Sequence, residues 1–256
     1  MLKKRYIAIC ITAVILASVV AFAFFLTELE LYIILISAGI SALIILIMIL
    51  LIKRPKAKLE TYLYEECDPD RYLYEFNKFY GYKKAEYKSN RFNMAKFKAF
   101  VAMGKFKEAN AAVAKLDFKS LKRDKQMYVD YNMCMTTLAL YSADYEMAQK
   151  YLDEISKNRL KYDIIIRQFN AEILRLKGEY ERARAMFNSL NLVKRPKKDV
   201  LSGRLAIAYI DKAEDYMELA LKNFELVARE GNRLYIRELA RNELKNAMNS
   251  ESVKKL

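Results

Sequence analysis

The side chains that usually do chemistry are sparse and scattered in this chain. Histidine is absent, and the three cysteines, Cys10, Cys67 and Cys134, lie far apart. Without imidazole there is no ordinary general base near neutral pH and no common nitrogen ligand for a metal. No two cysteines have the C-x-x-C spacing of a structural zinc site. Cys134 has no histidine to activate it as a nucleophile and is expected in a helical core. Phosphate-cradling glycine loops (G-x-G-x-x-G, G-x-x-x-x-G-K-[ST]) and the G-x-S-x-G elbow are missing as well. The densest acidic group, Glu65-Glu66-Cys67-Asp68, reads as a helix end followed by a cap. These residues predict a protein that is not an enzyme and holds no metal or cofactor.

Charge and aromatic content point toward binding. The formal net charge is +14. Only Lys3, Lys4 and Arg5, against Glu28 and Glu30, fall within the first 52 residues, so nearly all of the excess belongs to the remainder. Such a surface could face nucleic acid, an acidic protein or anionic lipid headgroups. Two basic groups, Lys122-Arg123-Asp124-Lys125 and Lys194-Arg195-Pro196-Lys197-Lys198, read as solvated loops between helical units, or else as sites for an acidic partner. Tyr62, Tyr64, Tyr72, Tyr74, Phe76, Phe79, Tyr80, Tyr82 and Tyr87 crowd one stretch; they are expected to pack between short helices, the alternatives being stacking on bases or a place at the headgroup level.

Two uncharged segments precede that stretch. Tyr6 to Leu26 and Leu31 to Ile52 each exceed the roughly 20 apolar residues that cross a bilayer as a helix. They are joined by Thr27-Glu28-Leu29-Glu30. Lys3, Lys4 and Arg5 flank the first, and Lys53, Arg54, Lys56 and Lys58 flank the second. Residues 1–56 are therefore expected to form a transmembrane helical hairpin with both ends cytoplasmic. The four flanking basic residues after the second span would face lipid headgroups, and the chain would be an integral membrane protein of a bacterial plasma membrane. Small residues spaced by four (Ala13, Ala17, Ala21; Ser37, Ser41) suit packing within the hairpin. The competing reading of the first segment is a signal peptide cleaved near Ala21-Phe22-Ala23.

The remainder reads as helix. Glycine occurs 6 times and proline 3 times, too few turn-makers for an all-β fold. Ala57 to Glu66 is a predicted helix. Asp68-Pro69 marks the start of the next, which extends to Gly81. Beyond it one phrase recurs: GKFKEANAAVAKL from Gly104, ADYEMAQKYLDEI from Ala143, GEYERARAMFNSL from Gly178 and EDYMELALKNFELV from Glu214. Each carries a small residue followed four and seven positions later by larger apolar ones: Ala109-Val113-Leu116, Ala148-Leu152-Ile155, Ala183-Phe187-Leu190 and Ala220-Phe224-Val227. That spacing marks one helix face. The alanines are 39, 35 and 37 residues apart. An aromatic precedes the alanine by three in the first three phrases (Phe106, Tyr145, Tyr180) and by four in the last (Tyr216). Helical stretches precede each phrase: 87–103, 125–141, 162–177 and 200–211.

This pattern resembles the tetratricopeptide repeat family, most closely in Leu176-Lys177-Gly178-Glu179-Tyr180-Glu181-Arg182-Ala183 with Ala171, Leu174 and Phe187 around it. Pro196 falls where the family often has proline. The chain departs from the family in its spacing, in the lack of a first-helix tryptophan and in Asp211 at a usually apolar position. A related helical-hairpin solenoid therefore stays open. The resemblance covers about residues 88–230 and implies a solenoid of helical hairpins there. Together with the hydropathy and helix signals, the chain is expected to be all-α: a transmembrane hairpin (1–56), membrane-proximal helices (57–86), a solenoid of four hairpins (87–233) and a capping helix with a tail (234–256).

By the same resemblance, the first helix of each unit lines a groove for a protein or peptide segment. The positions that would face it are Asp130, Thr137, Tyr141, Gln168, Glu172, Arg175, Tyr209 and Lys212. The expected function is a membrane-anchored scaffold that binds a protein or peptide partner at the cytoplasmic face. The alternative is an accessory envelope protein whose basic face meets anionic lipid or supports complex assembly. Nucleic acid is not an expected partner.

Overall fold

The structure, a computed structural model, describes residues 30–80, 89–157, 159–190 and 195–254, together with Val14 and Ser18. Those residues are helical apart from turns, in line with the all-α expectation. The chain divides into two compact units at Leu59/Glu60. Helix α1 spans Glu30–Tyr64. It is followed by α2 (Pro69–Tyr80), α3 (Asn90–Met103), α4 (Phe106–Val113), α5 (Phe118–Arg123) and α6 (Lys125–Tyr141). The series ends with α7 (Tyr145–Ser156), α8 (Arg159–Leu176), α9 (Tyr180–Ser189), α10 (Lys197–Ala213), α11 (Met217–Glu230) and α12 (Tyr235–Lys254).

The expected transmembrane hairpin is corrected. Among the described residues, no helix is long and apolar enough to cross a membrane. Helix α1 does not stop at the basic junction after Ile52. It runs through Lys53, Arg54, Pro55 and Lys56 to Tyr64, so charged and apolar residues share one helix. The integral-membrane location falls with the hairpin. The first segment, residues 6–26, lies outside the described residues apart from Val14 and Ser18. Of the four lipid-facing candidates, the side chain of Lys58 is exposed. Those of Lys53, Arg54 and Lys56 lie outside the described ones.

From α3 onward, helices pair as hairpins packed against each other: α3 with α4, α6 with α7, α8 with α9, and α10 with α11. The arrangement is compatible with a helical-repeat fold. First helices also touch in sequence, α3 to α6 to α8 to α10, and α12 extends the series by packing on α10 and α11.

The same turn closes all four hairpins. Gly104 (φ 72°), Ala143 (φ 54°), Gly178 (φ 79°) and Asp215 (φ 64°) are left-handed. In each case the next amide donates to the carbonyl five residues back: Lys105 to Phe100, Asp144 to Ala139, Glu179 to Leu174 and Tyr216 to Asp211, at 2.8–2.9 Å. This satisfies the open carbonyls at a helix C-terminus and reverses the chain within a few residues. The shared motif fixes the register. Met217 occupies the position of Phe106, Tyr145 and Tyr180, and Tyr216 stands where Lys105, Asp144 and Glu179 stand.

The repeated apolar sets form the core. Ala148, Leu152 and Ile155 are buried, as are Ala183, Phe187 and Leu190, and Ala220, Phe224 and Val227. In the first unit Ala109 and Leu116 are buried and Val113 is half-buried. The longer first spacing comes from α5. Asp117 caps it by accepting from the Lys119 and Ser120 amides, and Asp124 caps α6 by accepting from Met127. Asn90 ties this inserted turn back to α3 through two bonds of 2.7 Å with the Asp117 backbone.

Asp211, the residue at odds with an apolar repeat position, is buried and doubly satisfied. Arg184 donates to it at 2.6 Å and Asn223 at 3.3 Å. A buried carboxylate is tolerable with such partners.

Candidate functional site

The predicted groove residues fall into two groups on the first-helix faces. At one end, Asp130 forms an ion pair with Lys98 at 2.6 Å, and Glu60 stands 3.8 Å from the same ammonium. Burial disfavours the Lys98 charge, but Tyr64, Asp130 and Glu60 outweigh it and hold the ammonium well above its ordinary range. Burial in turn pushes the Tyr64 phenol upward, against the pull of Lys98. The Lys198 ammonium lies over the Tyr64 ring, 5.1 Å from its centre.

The end of α1 is thus held from several sides by the chain's own helices. The Lys197 amide donates to the Glu65 carboxylate, Asn232 donates to the Glu66 carbonyl at 2.8 Å, and the Arg233 amide donates to the Cys67 carbonyl. Leu63 and Cys67 are fully buried.

At the other end, Tyr141, Glu172, Arg175, Tyr209 and Lys212 form a second cluster. Arg175 donates to Glu172 at 2.9 Å and stacks over the Tyr209 ring at 5.2 Å. Lys212 pairs with Glu243. Burial pushes the Tyr209 phenol up to about 12, with Glu243 adding to the shift and Arg175 opposing it. Tyr141 packs edge-on against Tyr235, and burial raises its phenol too. Thr137 and Gln168 join neither cluster. The Thr137 hydroxyl donates within its own helix to Met133, and Gln168 donates to the Asp199 carbonyl at 3.2 Å.

Beside the second cluster lies a cleft of about 390 Å³ lined by Arg175, Leu176, Tyr180, Tyr209, Lys212 and Ala213. Its lining combines two cations and two tyrosines with the apolar Leu176 and Ala213. No metal-binding group of acids and cysteines occurs among the described residues. Burial drives both Cys67 and Cys134 thiols up to about 11, so neither is a thiolate near neutral pH.

No family model, curated protein or solved structure matches this chain.

Lys98, Tyr64, Tyr180 and Tyr235 were not among the sequence candidates. Lys98 had a signal. It lies six residues before the left-handed Gly104, as Thr137, Glu172 and Tyr209 lie six before Ala143, Gly178 and Asp215. The repeat register therefore puts it on the same face. Tyr64 had no such signal, because it precedes the repeats.

The basic group at 194–198 is not a free loop in its described part. Arg195 pairs with Asp199 at 2.8 Å, and Lys197 reaches Glu230 at 3.5 Å. Lys122 and Arg123 are exposed in the last turn of α5. Tyr82 and Tyr87 lie outside the described residues. Tyr62, Tyr72 and Phe76 are buried as packing residues, whereas Tyr74 and Phe79 are exposed.

Proposed function

We propose that this chain is a tetratricopeptide-like scaffold that binds a protein or peptide segment, and that the cleft between α8 and α10 receives it. One observation carries the reading. Arg175, Tyr209 and Lys212, three residues that the tetratricopeptide resemblance assigns to the groove, converge with Tyr180 on a single cleft of about 390 Å³.

The chemistry of the lining defines the ligand. Arg175 and Lys212 are held by Glu172 and Glu243, intramolecular carboxylates that a partner's carboxylate can replace. Tyr180 and Tyr209 add ring surface for an adjacent apolar side chain. The segment recognised is therefore acidic with an apolar residue beside the acid. The end of α1 occupies the Lys98 end of the first-helix faces, which leaves the Arg175 end for a partner. Absence of histidine, thiolate and phosphate loop supports binding over catalysis.

The test is affinity capture on the full-length protein, comparing the wild type with Arg175→Glu, Lys212→Glu. The reading expects a defined set of bound proteins that the double charge reversal removes while the circular dichroism spectrum is kept. An unchanged set would overturn it.

A further inference from the structure

A second surface, distinct from the cleft, is formed by the second helix of the first unit and the inserted helix α5. Between Lys105 and Lys125 the chain carries seven cations, six of them lysine, against three acids. The corresponding stretches of the other three units, 144–157, 179–190 and 214–230, carry six cations against eleven acids. Basic charge on the second helices is therefore concentrated in one unit. All seven cations are exposed, and none forms an ion pair among the described residues.

Helix α5 organises the patch. Lys119, Lys122 and Arg123 stand at i, i+3 and i+4 and share one face, while Leu121 turns the other way and is fully buried. The backbone beneath is braced against α3. Asn90 exchanges two bonds of 2.7 Å with Asp117, and Asn93 donates to the Lys115 carbonyl at 3.2 Å. Phe118 is 41% exposed beside these cations, its ring held edge-on to Tyr131 at 5.3 Å.

The acids facing the patch do not cancel it. Asp117 accepts from the Lys119 and Ser120 amides, and Asp124 from Met127. Glu108 sits in the first turn of α4, a whole helix away from α5. On α7, Glu154 is paired with Lys157 and accepts from the Tyr128 hydroxyl, and Asp153 accepts from Gln149.

We infer that this patch is a peripheral docking surface for anionic lipid headgroups. Its charge selects an anionic partner, and clustered cations on a helix are drawn to an anionic leaflet within a Debye length. Lysine is a hydrated point charge on a flexible stem, suited to a diffuse array of phosphates, whereas planar, bidentate recognition calls for arginine. Single-stranded nucleic acid is gripped by successive free ring faces, and here one braced ring stands among the cations. An aromatic at that place suits the headgroup level. The chain's other unit exposes Ile36, Ile40, Leu43 and Leu46 on α1, apolar surface that lipid accommodates and nucleic acid does not.

The test measures co-sedimentation of the full-length protein with vesicles. One set is phosphatidylcholine alone and the other contains about 30% phosphatidylglycerol, each at about 0.1 M and about 0.5 M salt. At the lower salt the anionic set is expected to bind at least tenfold more tightly than the neutral set, with most of the difference lost at the higher. Lys119→Glu, Lys122→Glu, Arg123→Glu is expected to abolish the difference and leave binding to the neutral set unchanged. Lys115→Glu, Lys125→Glu, outside α5, is expected to reduce it at least threefold. Lys150→Glu, Lys222→Glu, Lys245→Glu makes the same change in net charge as the α5 variant at exposed positions of α7, α11 and α12, and is expected to keep at least a third of it. The melting curve of each variant verifies folding. Equal binding to both vesicle sets, equal loss in the two triple variants, or displacement by single-stranded DNA or polyglutamate at a tenth of the lipid charge would overturn the proposal. The cleft residues are untouched throughout, so this result and that of the Arg175→Glu, Lys212→Glu test are independent.

Discussion

The ring of Tyr235 stands edge-on to that of Phe106, with centroids 5.3 Å apart and planes at 84°. Phe106 opens the second helix of the first hairpin, and Tyr235 opens the last helix of the chain. The series of hairpins therefore returns to its own beginning. Tyr141 joins the contact at 5.2 Å from Tyr235, and Arg233 beside it pairs with Asp70. Gly104 makes the contact possible. A Cβ there would lie 2.4 Å from the Tyr235 ring.

Gly104→Ala is accordingly expected to destabilise the fold by about 2–4 kcal/mol, combining steric overlap with the cost of a left-handed alanine. Removing the ring as well isolates the steric part. In the double variant Gly104→Ala, Tyr235→Ala, the glycine substitution is expected to cost only about 1 kcal/mol. Urea unfolding of the four proteins of the cycle measures this, and strictly additive costs would contradict the close approach.

The other turns separate backbone strain from packing. Gly178 is left-handed and a Cβ there would meet open space, whereas Ala143 already carries a Cβ in the same conformation. Gly178→Ala is expected to cost about 1 kcal/mol, and Ala143→Gly to gain roughly 0.5–1 kcal/mol. Thermal melts of both variants check the signs. A loss of stability in Ala143→Gly would contradict the shared turn.

The Lys98–Asp130 pair is largely shielded from water, with the lysine side chain 13% exposed. Lys98→Met leaves Asp130 without its cation and is expected to cost about 3 kcal/mol. Replacing both partners, Lys98→Met with Asp130→Leu, is expected to recover most of that loss, because an apolar pair needs no counter-charge. Denaturant unfolding of the single and double variants decides. A double variant as unstable as Lys98→Met would contradict the pairing.

Alkaline pH tests the buried thiols. Cys67 and Cys134 are pushed up to about 11 from an ordinary value of 9, chiefly by burial. A raised value in the fold means that the folded chain keeps its proton longer than the unfolded one. The stability this provides is complete below pH 9 and lost as pH rises toward 11. Unfolding free energy is expected to fall more steeply between pH 9 and 11 in the wild type than in Cys67→Ala, Cys134→Ala. Equal slopes would contradict buried, protonated thiols.

The repeat was legible because each second helix repeats an alanine with large residues four and seven further on, and burial of that stripe drives the packing. Helix α6 matches its expected span, Lys125–Tyr141. The exact register of the fourth unit was not legible. Tyr216 looked like its aromatic position, whereas the left-handed turn at Asp215 gives that place to Met217. Helix α5 was hidden because its basic sequence reads equally well as a loop; Asp117 caps its start and Asp124 caps the start of α6. The apolar run from Leu31 to Ile52 suggested a span that ends at the lysines, but helix α1 continues through Pro55. Three of the residues that the resemblance puts on the groove, Arg175, Tyr209 and Lys212, line one cleft together. Occupation of the groove face near Lys98 by the end of α1 depends on long-range contacts that no local pattern encodes.

Partner binding at the cleft is tested most directly by placing a photoreactive benzoylphenylalanine at Tyr209 of the full-length protein and irradiating it in native extract. The account expects one discrete covalent adduct, lost when Arg175 and Lys212 are reversed to glutamate and absent when the same probe replaces the exposed Phe118. No adduct at Tyr209, or the same products from both positions, would contradict it.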